Sequence, residues 1–260
     1  MPLTDDQLER YARHIILKEV GGAGQQKLMN AKVLVVGAGG LGSPMLLYLA
    51  AAGVGTIGIV DDDQVALSNL QRQVIHATSA VGMPKTMSAA ATLRAINPNV
   101  KVMEHACRLT ADNVRKIVSG YDIVADGCDN FTTRFLVNDA CYFLEKPLVS
   151  GALSQFDGQI STFKAYGGSG LPCYRCFVAK DPGDALNCAE AGILGAVAGV
   201  IGTWQALEVI KEIIGLGESL AGQLLLFEGL TARTRKIRLR RDPDCALCGD
   251  TPKITGLPDA

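Results

Sequence analysis

Lys32-Val-Leu-Val-Val36-Gly37-Ala-Gly39-Gly40-Leu-Gly42-Ser43 is the stretch that decides the fold. An apolar Val/Leu run of this kind predicts a strand buried on both faces, and the glycines behind it predict a tight turn. The apolar residues 42–52 predict a helix opening directly from that turn. Thr56-Ile-Gly-Ile-Val60 predicts a second strand, stopped by Asp61, Asp62 and Asp63. Glycines between a strand and a helix let backbone approach a phosphate, and the helix N-terminus favours the anion. Asp61 falls about twenty residues beyond the glycines, the spacing of an acid that hydrogen-bonds a ribose hydroxyl. The plainer reading of the motif is a glycine turn needed only for packing.

Working outward, residues 100–103, 121–125 and 147–150 read as further strands. Helical stretches at 84–96, 110–118 and 132–144 alternate with them. Such alternation predicts an α/β fold, a Rossmann-like doubly wound and mostly parallel sheet with helices on both faces. After residue 150 the pattern changes. Residues 158–164, 224–227 and 236–240 predict antiparallel strands that extend the sheet, 192–214 a long helix, and 167–191 an extended loop. The first thirty residues are amphipathic and helical, with Thr4 and Gln7 spaced as a capping box. One domain over 1–260 is expected, in three parts: N-terminal helices over 1–30, a nucleotide-binding Rossmann-like part over 31–165, and a closing part over 166–260.

Composition excludes several classes. The 260 residues are 48% hydrophobic and 20% charged, which supports a core and excludes a disordered chain. Twenty-five Lys and Arg against 26 Asp and Glu exclude a strongly basic nucleic-acid binder. No charge occurs from Val33 to Val60, a length that could span a bilayer. The glycines and Pro44 inside it argue instead for strand, turn, helix and strand, so no membrane partner is expected. The polar, acidic opening residues do not resemble a secretion signal. A cytoplasmic location follows as the expectation, with the eight cysteines in a reducing compartment.

Two CxxC pairs, Cys173/Cys176 and Cys245/Cys248, have the spacing of two metal knuckles. Four thiolates so arranged form a closed, structural zinc site that would staple the C-terminal end to the 167–191 loop. A redox role needs a CxxC at a helix start beside a βαβ unit, and neither pair is placed so. Cys107, Cys128 and Cys141, in strand, loop and helix readings, are expected as small buried hydrophobes. Cys188 precedes a predicted helix, where a thiol is acidified; a nucleophile and a bystander both fit.

Ser68-Asn69-Leu70-Gln71-Arg72-Gln73, followed by Lys85, suits a triphosphate, because Arg offers a planar fork and Lys a point charge to phosphate oxygens. A solvated polar loop is the alternative. Asp129-Asn130 lies just past a predicted strand, where open parallel sheets bind ligands. A carboxylate there could hold Mg²⁺ against phosphates, or Asp129 could cap the helix near Thr132. Arg233, Arg235, Lys236, Arg238, Arg240 and Arg241 read as an edge strand with a charged face, or as a docking patch for an acidic partner. None of the three histidines has a ligand-like neighbour, and none is given a role.

Taken together, the glycine motif, Asp61, the Ser68–Gln73 run, Lys85, Asp129-Asn130, both CxxC pairs and Cys188-Ala-Glu-Ala-Gly192 resemble the ThiF/MoeB/HesA family, bacterial relatives of ubiquitin-activating enzymes. The resemblance runs from Tyr11-Ala-Arg-His14 to Asp244-Cys-Ala-Leu-Cys-Gly249 and is nearest to the molybdopterin-synthase adenylyltransferase branch. It implies ATP, Mg²⁺ and structural Zn²⁺, with a homodimer. It also implies a ubiquitin-fold sulfur-carrier protein (MoaD- or ThiS-like) ending in Gly-Gly, bound by the closing part of the chain. The carrier's carboxylate would be adenylated for molybdopterin, the preferred pathway, or thiamine biosynthesis. A separate cysteine desulfurase or sulfurtransferase would then supply sulfur. By the same resemblance, the backbone of Gly39, Gly40 and Gly42, the Asp61 carboxylate, and Ser68, Asn69, Leu70, Gln71 and Asn130 contact the nucleotide. Arg72 and Lys85 neutralise its phosphates, Asp129 carries Mg²⁺, and Arg13 reaches in from the partner protomer. Cys188 matches a nucleophile in some relatives. Three other readings compete: a threonylcarbamoyladenosine dehydratase of the same family, an NAD-dependent oxidoreductase, and a nucleotide-binding scaffold.

Overall fold

The computed structural model describes residues 3–168, 170–180 and 192–257; Cys188 lies outside the described residues. Two helices, α1 (Asp5–Ile15) and α2 (Gly21–Asn30), lead into the first strand. The α1 cap is the expected box: Gln7 N–H donates to Thr4 Oγ1, and Thr4 N–H donates to Gln7 Oε1. Strands β1 (Lys32–Val36), β2 (Thr56–Val60), β3 (Lys101–His105), β4 (Ile123–Asp126) and β5 (Leu148–Ser154) alternate with helices α3 (Gly42–Ala51), α4 (Lys85–Ile96), α5 (Ala111–Ser119) and α6 (Phe131–Phe143). Beyond them lie β6 (Asp157–Phe163), the one-turn α7 (Tyr174–Phe177), the long α8 (Gly195–Ile214), and the hairpin strands β7 (Gln223–Glu228) and β8 (Arg233–Arg238).

All eight strands form one sheet in the order β3-β2-β1-β4-β5-β6-β7-β8. Pairing is parallel from β3 through β5 and antiparallel from β5 through β8. The order reverses at β1, which has β2 on one side and β4 on the other. The crevice at the carboxyl ends of β1 and β4 is therefore where a ligand can reach backbone. Burial explains the sequence pattern: β1, β2 and β4 are covered on both faces and read as continuous apolar runs. On one face Met45, Leu46, Leu49, Ala206 and Val209 pack on Val33, Val35 and Ile57; on the other, Val114, Val118, Phe135 and Val137 pack on Leu34 and Val124. Helix α3 lies against α8 and is apolar nearly all round, with Tyr48 and Ala51 its exposed residues. No helix among the described residues is long and apolar enough to cross a membrane.

Some boundaries differ from the sequence reading. Strand β3 runs on to His105, which pairs with Val60, and Cys107 falls beyond it in the following loop. Strand β8 starts at Arg233 rather than Lys236. Its register is set by the hairpin, which places Arg233 opposite Glu228, and not by the apolar Ile237 and Leu239. Its residues are all exposed, as an edge strand with a charged face requires. Helix α6 is capped by Asn130, whose Oδ1 accepts from Thr133 N–H at 2.8 Å. Asp129 therefore has no capping duty.

Candidate functional site

The turn between β1 and α3 is held by close packing that tolerates only glycine at two positions. Gly37 adopts φ +92°, and a Cβ on Gly42 would sit 1.9 Å from Gly37 O. Helix α3 therefore starts hard against the strand end, with its first amides at the crevice. The β4–α6 loop abuts the turn from the other side: a Cβ on Gly37 would meet Gly127 O at 3.1 Å.

Asp61 ends β2 and grips the same turn. Its Oδ2 accepts from Ala38 N–H at 2.8 Å, and its Oδ1 accepts from Asp63 N–H at 2.9 Å. Burial raises the Asp61 carboxyl above its ordinary value, and Lys85 nearby partly offsets this. Lys85 opens α4, is nearly buried, and donates from Nζ to the exposed Asp63 carboxylate at 2.7 Å. One of its three N–H donors is used there. The 66–70 segment is a single 3-10 turn, with Ala66 N–H donating to Asn69 Oδ1. Arg72 follows it, donates from Nη1 to Ser68 O at 3.1 Å, and passes 3.6 Å from the position a Gly40 Cβ would take. Gly195 at the start of α8 seats this segment, since a Cβ there would lie 2.2 Å from Gln71 O. The fold thus gathers the glycine turn, Asp61, Arg72, Lys85 and the loop bearing Asp129 around one crevice. Arg13 is exposed in the last turn of α1.

The sequence reading missed the groups beneath this rim. Arg134 on α6 is buried. Its Nη1 donates to Asp126 Oδ2 at 3.1 Å, to Gly151 O at 2.8 Å and to Ser150 Oγ at 3.3 Å, and its Nη2 donates to Cys128 O at 2.5 Å. Burial is the largest single influence and opposes its charge, but Asp126, Cys128, Tyr174 and Asp129 together outweigh it and raise the guanidinium's pKa. Gln205 on α8 donates from Nε2 to Asp126 O at 2.8 Å, so three elements clamp the end of β4. Burial and the Asp126 carboxylate push the Cys128 thiol well above its ordinary value. His76 was also missed; it joins Ala38 in the glycine turn to Ser88 on α4. A histidine about forty residues from its partner, in an ordinary polar stretch, leaves no local signal.

The four knuckle cysteines converge. Sulfur separations are 4.0 Å (Cys173–Cys176), 3.6 Å (Cys173–Cys245) and 3.3 Å (Cys176–Cys248). A tetrahedron with Zn–S near 2.3 Å needs edges of about 3.8 Å. Hydrogen bonds from Cys173 and Cys248 hold the Cys176 thiol far below its ordinary value. Asp242 N–H also donates to its sulfur at 3.3 Å. The cluster is buried with Leu247 beneath α6 residues Tyr142 and Phe143. This donor set can hold a zinc ion. Cys176→Ala is expected to reduce bound zinc from one per chain to none and to lower the melting midpoint by about 5–10 °C. Elemental analysis and a thermal scan check this, and unchanged zinc would refute the four-thiolate site.

A glycine turn at a sheet's reversal point, an acid at the next strand end and cations on the facing loop define a nucleotide-binding α/β protein. The ThiF family profile matches residues 11–247, and the chain belongs to that family. The sulfur carrier protein adenylyltransferase of Thermus thermophilus is 49% identical over 264 residues, covering all of this chain and 97% of that one. The adenylyltransferase and sulfurtransferase MOCS3 of Mus musculus is 50% identical over 260 residues, 99% of this chain but only 56% of that protein. This chain therefore spans under two thirds of that longer relative. Among solved structures, E. coli MccB crystallised with ATP matches with a TM-score of 0.80 at 25% identity, over 92% of this chain and 74% of that one.

Proposed function

We propose that this protein adenylates the C-terminal glycine of a small ubiquitin-fold sulfur-carrier protein. One observation carries this reading: the end-to-end likeness to an adenylyltransferase of that kind, with 97% of the relative covered. In the reaction, a carboxylate oxygen of the carrier attacks the α-phosphorus of ATP. The bond from that phosphorus to the bridging oxygen breaks, pyrophosphate leaves, and an acyl-adenylate forms. The carboxylate is already ionised near neutral pH, so no general base is required. Catalysis then rests on positioning and charge neutralisation.

Arg72 would offer its guanidinium fork, and Lys85 its remaining N–H donors, to the phosphates. Asp61 would accept from the ribose, and the amides of Gly39, Gly40 and Gly42 would lie along the nucleotide, with Asn69, Gln71 and Asn130 on its polar rim. Asp129 would hold Mg²⁺, which supplies charge neutralisation at the phosphates. In a homodimer, Arg13 would complete the site of the neighbouring copy. The chain would work as one domain over 1–260, with residues 166–260 carrying the carrier-facing and zinc part. The preferred pathway is molybdopterin biosynthesis, with thiamine biosynthesis the other. A cysteine desulfurase or sulfurtransferase would later convert the adenylate to a thiocarboxylate, with Cys188 the candidate for any covalent step.

ATP–pyrophosphate exchange tests this directly. Exchange is expected with ATP, Mg²⁺ and one Gly-Gly carrier, and that carrier identifies the pathway. Measurable ATP binding without exchange on any carrier would overturn the adenylation reading.

A further inference from the structure

His76 is buried at 7% exposure, between the glycine turn and α4. Its Nε2 lies 3.0 Å from Ala38 O and its Nδ1 lies 2.9 Å from Ser88 Oγ. A carbonyl oxygen can only accept, so Nε2 carries the proton. In the neutral ring Nδ1 then accepts from the Ser88 hydroxyl. Burial keeps the imidazole below its ordinary pKa, consistent with a neutral ring at physiological pH.

These bonds close a circuit. Ala38 N–H donates to Asp61 Oδ2 at 2.8 Å, and Ala38 O accepts from His76. Both polar groups of this one residue in the turn are therefore fixed by side chains. Asp61 Oδ1 accepts from Asp63 N–H, Asp63 Oδ2 accepts from Lys85 Nζ, and Lys85 N–H donates to Asp63 O. Ser88 lies one turn after Lys85 on α4. Thr92, a further turn along, donates to Ile75 O at 2.9 Å, so the segment just before His76 is tied to the same helix. The ring of contacts runs from the glycine turn to the end of β2, to the head of α4, and back through His76. An apolar side chain of the same volume would fill the space but leave Ala38 O buried without its donor.

We propose that His76 is a positioning residue for the nucleotide: it sets the orientation of the Ala38–Gly39 peptide and holds the turn in register with Lys85. The inference rests on the nucleotide reading of the crevice. Its effect falls on ATP affinity, because the turn, and not the carrier's side of the site, is what it holds.

The test compares His76→Gln with His76→Asn in the full-length protein. A Gln amide nitrogen can reach the position of Nε2 and donate to Ala38 O. An Asn amide reaches only the position of Nδ1, facing Ser88. We expect His76→Gln to keep the ATP dissociation constant within about threefold of the unaltered protein. We expect His76→Asn to weaken it about tenfold or more, with the KM for the carrier unchanged in both. Equal ATP affinity in the two variants, or a loss that merely follows their melting midpoints, would overturn the proposal. Ser88→Ala keeps the Ala38 contact but frees the ring to turn. It is expected to weaken ATP about two- to fivefold, and no change there also counts against a positioning role, even if His76→Asn does not fold. Absence of ATP binding by the unaltered protein would overturn the nucleotide reading and this inference together. A failed Gln/Asn contrast with normal ATP binding would remove the inference alone.

Discussion

Asp129→Ala is expected to reduce carrier adenylation about 10²–10³-fold while leaving the melting midpoint unchanged. The two halves of that expectation have separate grounds. Asp129 is exposed at the end of a loop whose shape is set by its neighbours, and the capping of α6 belongs to Asn130. Its removal therefore deletes no structural contact of consequence. The loop is held by Arg134 through Cys128 O and by the Asp126 carboxylate accepting from Cys128 N–H, and neither interaction involves Asp129. What the variant loses is a carboxylate at the carboxyl end of β4, where a magnesium ion would meet phosphate oxygens. Pyrophosphate exchange at saturating Mg²⁺, beside a thermal scan, reads both halves. Activity within threefold of the unaltered protein would remove Asp129 from the metal assignment.

Arg134→Met is expected to destabilise the fold by about 3–5 kcal/mol. Asp126 is 1% exposed and would be left as a buried carboxylate without its cation, while Gly151 O and Cys128 O would each lose a donor. Ser150 Oγ–H and Cys128 N–H still reach Asp126, which keeps the loss from being larger. Combining Arg134→Met with Asp126→Asn should recover part of the loss, since the unpaired charge is gone. Urea denaturation of the two single variants and the double variant measures this coupling. A cost below about 1 kcal/mol for Arg134→Met would show that the pair is not what secures the end of β4.

The strand–glycine turn–helix unit was legible because it is local: Lys32 to Val60 contains the two strands, the turn and the helix as apolar runs punctuated by glycine. The cysteine knuckles were legible through spacing within each pair, although the two pairs are far apart in sequence. The family resemblance read from scattered residues is the one the ThiF profile matches. The buried support of the site was not legible. Arg134 looks like any helical arginine, and only the β4–β5 pairing that brings Gly151 and Ser150 beside it reveals why it is there. His76 likewise depends on where α4 crosses the turn. Strand limits in the β7–β8 hairpin were missed because an edge strand made mostly of basic residues carries no hydrophobic alternation; Glu228 opposite Arg233 sets it instead.

With an ion bound, the four cysteines would also act on the chain when it is not folded. Cys173 and Cys245, and Cys176 and Cys248, are each 72 residues apart. An ion that keeps hold of both knuckles turns the intervening segment, with α8 and the final hairpin, into a closed ring. In the chain-entropy picture a ring of that size restricts the disordered ensemble by about 4 kcal/mol, and the second link adds little because it closes nearly the same loop. Part of the stability lost in Cys176→Ala would then come from a floppier unfolded chain rather than from any contact missing in the folded one.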